Sequence, residues 1–151
     1  MTVISVLICT YDRKQYIQCS IRSLLSQDLD KKYYEIIVVK GFIDKAIDEF
    51  LDSNNVKNIY LNEKSLGKKI ARGISESRGD FICFLDDDDE FEPYKLSKIF
   101  EIINSDTEID FIHNSLSKID ENGNVVSQNN IETPPGNLYF YPNSEDNSTI
   151  S

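Results

Sequence analysis

Four consecutive aspartates, Asp86 to Asp89, follow the apolar run Phe81–Leu85 and lead into Glu90. Carboxylates repel one another, and a folded domain normally spreads them over its surface. Stacked at the end of a strand they admit two readings, a solvated acidic loop or a seat for a cation. The oxygen-only donor set suits a hard divalent ion such as Mg2+ or Mn2+. Such an ion takes one or two carboxylates and completes its shell with water and substrate phosphate. The strand period of two predicts that alternate carboxylates face together, so Asp86 with Asp88, or Asp87 with Asp89, should share a site. A calcium EF-hand is excluded, because the sixth residue counted from Asp86 is Phe91 rather than Gly and the twelfth is Ser97 rather than Glu.

A second polar turn, Thr10-Tyr11-Asp12-Arg13, follows the apolar run Val3–Cys9. In open α/β sheets ligands bind beyond the carboxyl ends of the strands, where the strand order reverses. If the two strands are neighbours, both loops open into one crevice. An anionic ligand there needs a cation or a local basic residue, since the chain is acidic. Asp12 reads as a turn or helix cap. His113, the only histidine, lies in an apolar segment and reads as structural.

The elements that must position these groups alternate. Val3–Cys9, Tyr34–Val39, Lys57–Leu61 and Asp80–Leu85 are apolar, β-branched runs of the kind a helix-covered parallel sheet requires. Between them, Ile17/Ile21/Leu24/Leu25, Ile43/Ala46/Ile47/Phe50/Leu51, Leu66/Ile70/Ile74 and Leu96/Ile99/Phe100/Ile103 follow helical steps. Pro93 suits the first turn of the last helix. The pattern predicts a doubly wound α/β fold with a mostly parallel sheet over residues 1–126. Ile109–Ile119 reads as a further strand and Glu121–Asn124 as a hairpin turn. Residues 127–151, rich in Pro and Asn and without Lys or Arg, read as an irregular tail.

The chain has 151 residues, 40% hydrophobic and 28% charged, enough for one domain with a real core. A net charge of −10 argues against nucleic-acid binding, and no apolar run is long enough to span a membrane. Cys9, Cys19 and Cys83 have no metal-ligand spacing, and Cys9 and Cys83, inside apolar runs, read as small buried hydrophobes in a reducing compartment.

Taken in order, ISVLICTYDRKQYIQCSIRSLLSQ, YEIIVV, GISESRGDFICFLDDDDEFEPYKL and IDFIHNSLSKIDENGNVV resemble the N-terminal half of a family 2 glycosyltransferase of the GT-A, Rossmann-like fold. The resemblance implies a nucleotide-diphospho-sugar donor, a glycan or lipid-linked acceptor, and a metal-dependent, inverting transfer using Mn2+ or Mg2+. It implies that Thr10 and Tyr11 wall the base, that Asp86 or Asp87 contacts the ribose, and that Asp88 binds the metal. Lys68, Lys69 and Arg72 become candidate partners of the phosphates, each with a solvated helix surface as the alternative. Asp12, where the family commonly has Asn, becomes a candidate base contact. A cytoplasmic enzyme follows, with peripheral association at the inner face of the membrane compatible with it. Three departures stand out. Lys40 occupies the place of the family's base-recognising Asp after the second strand, and contacts a phosphate or solvent instead. The Ala-Arg-Asn-x-Gly-Ile segment survives as Lys69-Ile70-Ala71-Arg72-Gly73-Ile74. The downstream catalytic carboxylate has no clear counterpart; Glu145-Asp146 reads as coincidental, the catalytic residue is unassigned, and the chain reads as lacking its acceptor half. Two alternatives remain, a nucleotide- and metal-binding fragment without turnover, and a metal-dependent phosphatase using Asp86 and Asp88.

Overall fold

A computed structural model describes residues 2–105, 109–114, 116–120, 124–128 and 138–142. Four parallel strands form one sheet: β1 (Ile4–Thr10), β2 (Tyr34–Lys40), β3 (Lys57–Tyr60) and β4 (Phe81–Phe84), in the order β3-β2-β1-β4. Helices α1 (Ile17–Leu25), α2 (Lys45–Ser53) and α3 (Leu66–Ser75) connect them, and α4 (Lys95–Ser105) follows β4. The chain winds outward from β1 through β2 to β3, then returns to place β4 on the other side of β1. The reversal therefore falls between β1 and β4, as the α/β alternation predicts. The registers Thr10↔Lys40 and Leu7↔Phe84 bring the carboxyl ends of these strands to one edge.

β1 and β2 carry the core. Ile4, Val6, Leu7 and Ile8 are at most 1% exposed, and full burial of each such side chain is worth roughly 1.5–3 kcal/mol. On one face Leu7, Ile37 and Val39 pack with Ile59, Ile70 and Ile82. The β-branched runs fit a strand covered on both sides, where no polar alternation is needed.

The helices start where side chains satisfy orphan N–H groups. Asp44 accepts from Ile47 N–H at the start of α2, and Ser65 accepts from Lys68 N–H at the start of α3. Asp12 does not cap α1; the capping position is Tyr16, whose side chain makes no capping bond. Pro93 lies in the turn before α4 rather than inside its first turn. α3 departs most from its apolar pattern. Leu66 and Ile74 are 59% and 45% exposed, whereas Lys69 and Gly73 are buried. A Cβ on Gly73 would stand 2.3 Å from Leu7 Cδ1, so the glycine lets the helix backbone approach the sheet more closely than any side chain would.

A second compact unit comprises residues 101–151, with the division falling inside α4. Its strands are β5 (Ile109–Asn114), β6 (Ser117–Ile119), β7 (Val125–Gln128) and β8 (Leu138–Pro142). The segment expected as one strand over 109–119 is divided into β5 and β6. β6 and β7 pair antiparallel, flanking the expected hairpin turn, of which residues 121–123 lie outside the described residues. β8 falls in the stretch expected to be irregular and pairs antiparallel with β5. A strand there escaped sequence reading because Leu138–Pro142 is short and closed by Pro.

Candidate functional site

At the reversal between β1 and β4, the loop after β1 and the acidic loop after β4 meet. Cys9, Thr10, Tyr11, Asp12, Arg13, Lys64, Leu66, Lys69 and Asp87 line a cavity of about 200 Å³. A larger cavity of about 420 Å³ lies among Glu35, Ile36, Lys57 and Arg78, by the amino ends of β2 and β3. Three of its charged groups are engaged, Glu35 with Ser5 and Arg78, and Lys57 with Glu76. The smaller cavity differs in holding buried polar oxygens without hydrogen-bond partners, Thr10 Oγ1 and Asp87 Oδ1, whose residues are only 2% and 1% exposed. Thr10 Oγ1 has no partner among the described residues, and Asp87 Oδ1 has only its ion pair with Arg13, so this wall keeps polar capacity for a ligand or water.

Burial alternates along the acidic run as far as Asp88, with Leu85 and Asp87 buried and Asp86 and Asp88 exposed, so Asp86 and Asp88 share a side as the strand period predicts. β4 ends at Phe84, and Asp89 N–H donates to Asp86 C=O at 3.2 Å, closing a turn across the four aspartates. Asp89 falls on the exposed side with them rather than with Asp87, and one cation joins the adjacent Asp87 and Asp88. Asp87 points inward and Asp86, Asp88 and Asp89 are exposed. Arg13 spans the convergent pair, one guanidinium nitrogen forming an ion pair with Asp87 Oδ1 and the other donating to Asp88 Oδ2. The contact with Asp87 lacks hydrogen-bond geometry, so Oδ1 is neutralised without being satisfied. Partial burial, together with the charges of Asp86 and Asp88, raises the Asp89 carboxyl above its ordinary pKa.

The loop is held from beneath by a polar stripe on α1. Ser20 Oγ donates to Asp87 C=O at 3.0 Å, and Ser23 Oγ accepts from Phe91 N–H at 3.0 Å. Gln27 Nε2 donates to Glu92 C=O at 2.8 Å, while its Oε1 accepts from Leu96 N–H at 2.9 Å, capping the first turn of α4 from the segment that follows α1. Ser20, Ser23 and Gln27 are all buried. Ser20 and Ser23 lie three residues apart on α1, and Gln27 follows two residues after its end. The signal available in the sequence was these polar residues beside the apolar stripe Ile17/Ile21/Leu24.

Lys69 reaches the site through the sheet rather than from a solvated helix surface. It is 2% exposed, its Nζ donates to Thr10 C=O at 2.6 Å, and it lies 4.8 Å from the centroid of the Tyr11 ring. Desolvation lowers the ammonium pKa below its ordinary value. Burial also pushes the Cys9 thiol up to about 11, leaving it protonated beside the cavity. Gly41 closes the same corner: a Cβ there would sit 3.0 Å from Lys69 Nζ and from Tyr11 Cδ2.

Two expected donor contacts are engaged elsewhere. Lys40 is 1% exposed, pairs with Asp48 at 2.7 Å and donates to Phe42 C=O at 2.8 Å. Arg72 pairs with Glu76 at 2.8 Å on the exposed side of α3. Neither lines the cavity. Glu145-Asp146 lies outside the described residues. Arg13, given no role by sequence reading, is the cation in contact with the acidic pair.

Among the described residues no three His, Cys, Asp or Glu side chains converge on a protein-only metal site. The oxygen donors present fit a hard cation that draws one or two carboxylates from the protein, and the unsatisfied Asp87 Oδ1 is consistent with such a role. Among the described residues no helix is long and apolar enough to cross a membrane.

The model of the family described as Glycosyl transferase family 2 matches residues 5–150. An uncharacterized glycosyltransferase of Methanocaldococcus jannaschii is 31% identical over 133 residues, covering 83% of this chain and 46% of that protein. An uncharacterized glycosyltransferase of Rickettsia bellii is 31% identical over 140 residues, covering 90% of this chain and 20% of the other. The chain thus spans less than half the length of these relatives. Among solved structures, S. aureus TarS 1-349 in complex with UDP-GlcNAc superposes with a TM-score of 0.69 at 26% identity, over 84% of this chain and 37% of that one. The mannosyltransferase PcManGT from Pyrobaculum calidifontis, in complex with GDP-Man and Mn2+, shares the fold at a TM-score of 0.63 and 11% identity, over 76% of this chain and 35% of that one.

Proposed function

Because the chain belongs to glycosyl transferase family 2, we propose that its cavity receives the nucleoside diphosphate of a sugar donor, for transfer to a glycan or lipid-linked acceptor. The observation that carries the reading is one cavity at the strand reversal that brings Thr10, with its unpartnered Oγ1, and Tyr11 together with Asp87 and Arg13 of the acidic cluster. Thr10 and Tyr11 wall the base, with Lys69 fixing the Tyr11 ring from behind. Asp87 and its neighbour Asp86 face the ribose. Asp88, 39% exposed and beside the inward Asp87, is the carboxylate for a divalent cation of the Mn2+ or Mg2+ type. UDP is the first base to test, since TarS, the 26%-identical neighbour, is solved with UDP-GlcNAc.

A divalent cation bound there supplies Lewis-acid neutralisation of the departing diphosphate. The chain's own residues orient the donor so that the acceptor hydroxyl attacks the anomeric carbon from the face opposite the leaving oxygen. A new C–O bond forms as the bond to the diphosphate breaks, the hydroxyl proton passes to a carboxylate base, and configuration inverts. The base is not assigned to any residue of this chain.

The test is thermal denaturation with a panel of nucleoside diphosphates, with and without Mn2+. Ligand at a hundred times its Kd should add about 2.7 kcal/mol of stability. We expect stabilisation that needs both metal and nucleotide and disappears in Asp88→Ala. No shift with any nucleotide, with or without metal, would refute the site. Release of phosphate from an aryl phosphate would favour a phosphatase instead.

A further inference from the structure

Arg13 is a cation standing where the divalent ion of the proposed donor site would act. It lies on the loop after β1, lines the cavity, and joins both Asp87 and Asp88 through one guanidinium. A planar fork with a permanent charge matches two neighbouring carboxylates, and it matches a diphosphate equally well. Two cations cannot share the same pair of carboxylate oxygens without strong repulsion. A metal that takes the Arg13-bound oxygen of Asp88 therefore displaces the guanidinium, which then needs another anion. Single carboxylates such as exposed Asp12 and Asp86 stand nearby, but a diphosphate offers the fork two adjacent anionic groups and arrives with the metal. The other cations nearby are committed: Lys69 to Thr10 C=O, Lys68 to Glu63 and Lys14 to Asp44. Lys64 also lines the cavity and adds an exposed charge. The Arg13 side chain is 49% exposed, so its fork is free to swing from carboxylates to phosphates.

We propose that Arg13 is a donor-binding residue that neutralises Asp87 and Asp88 before the donor binds and transfers to the donor diphosphate on binding, making metal and nucleotide bind cooperatively. The inference rests on the donor-site reading above. It adds that metal alone binds weakly, because it competes with an internal cation. Nucleotide removes the competitor, so each ligand tightens the other by the same factor.

Mn2+ affinity, read from the paramagnetic resonance of free Mn2+, is measured with and without UDP for the wild-type chain, Arg13→Gln, Arg13→Lys and Asp88→Ala. In the wild type, UDP should tighten Mn2+ binding at least tenfold. Arg13→Gln should bind Mn2+ alone about tenfold more tightly, bind UDP more weakly, and lose most of the coupling. Arg13→Lys keeps the charge without the fork and should fall between. Unchanged or weaker Mn2+ binding in Arg13→Gln, with Asp88→Ala still abolishing it, would overturn the role of Arg13 while leaving the donor site standing. Absence of Mn2+ binding in wild type with every nucleoside diphosphate would overturn both.

Discussion

Gln27 is the residue on which the acidic loop and α4 both depend, and its removal gives a quantitative test. Its amide makes three hydrogen bonds: Nε2 to Glu92 C=O at 2.8 Å and to Ser23 C=O at 3.0 Å, and Oε1 from Leu96 N–H at 2.9 Å. The side chain is 8% exposed, so water does not readily replace them. At a net worth of about 1 kcal/mol per bond, Gln27→Ala should cost about 3 kcal/mol. For a chain of this length that corresponds to a fall in Tm of about 10 °C. Urea denaturation followed by circular dichroism measures the loss directly, and the Mn2+–UDP thermal shift should shrink with it, because the freed loop no longer holds Asp87 and Asp88 in place.

Gln27→Glu separates the hydrogen bonds from packing. A protonated Glu can still accept from Leu96 N–H and donate to Glu92 C=O, whereas the ionised form presents a buried negative charge to a carbonyl oxygen. Burial should raise the folded-state pKa of this introduced carboxyl above its unfolded value of about 4.3. Its stability should therefore be nearest to wild type below that value and fall as pH rises towards neutrality. A loss below about 1 kcal/mol for Gln27→Ala, or a Gln27→Glu variant indifferent to pH, would show that the clamp is not what holds the loop.

Two further outcomes follow from contacts at the strand starts and under α3. Gly79→Ala should destabilise by about 3 kcal/mol, more than Gly73→Ala, because overpacking costs most where the obstacle is rigid. A Cβ at 79 meets the backbone of the central strand, Ser5 N at 2.7 Å, whereas one at 73 meets the terminal carbons of Leu7; equal losses in urea melts would contradict that distinction. Although burial opposes it, hydrogen bonds from Ser5 and Arg78 hold the Glu35 carboxyl below its ordinary pKa. A lowered folded-state pKa gives stability that is present above the unfolded value of about 4.3 and lost as pH falls through the folded value. Glu35→Gln should accordingly flatten the acid limb of the stability–pH profile below about pH 4.5, and an unchanged limb would place the acid sensitivity elsewhere.

The fold was legible because β1 and β2 are buried on both faces and therefore spelled as unbroken apolar runs, with the helical stripes between them. The two polar loops at the strand ends were legible for the same reason, since nothing else interrupts those runs. The joining of adjacent Asp87 and Asp88 was not, because it depends on Arg13, a cation from another loop that the run itself does not reveal. Lys40 and Lys69 were misleading as surface cations. Each is buried, one against Asp48 and the other against a strand carbonyl, and a lysine stem long enough to cross a layer leaves no trace of its destination in the sequence. Arg13 was visible but mute, since its partners lie across the sheet reversal.

That reversal also has a temporal side. β1 meets β2 by joining residues 4 and 34, but it meets β4 by joining residues 4 and 81. The longer closure costs about 0.8 kcal/mol more in chain entropy, and during synthesis β1 must wait for fifty further residues or so to emerge before β4 exists. The half of the sheet made by β1 and β2 can assemble early, with Thr10 and its loop already in place. Asp87 and Asp88 arrive with the late strand, so the cavity is the last seam of the domain to close.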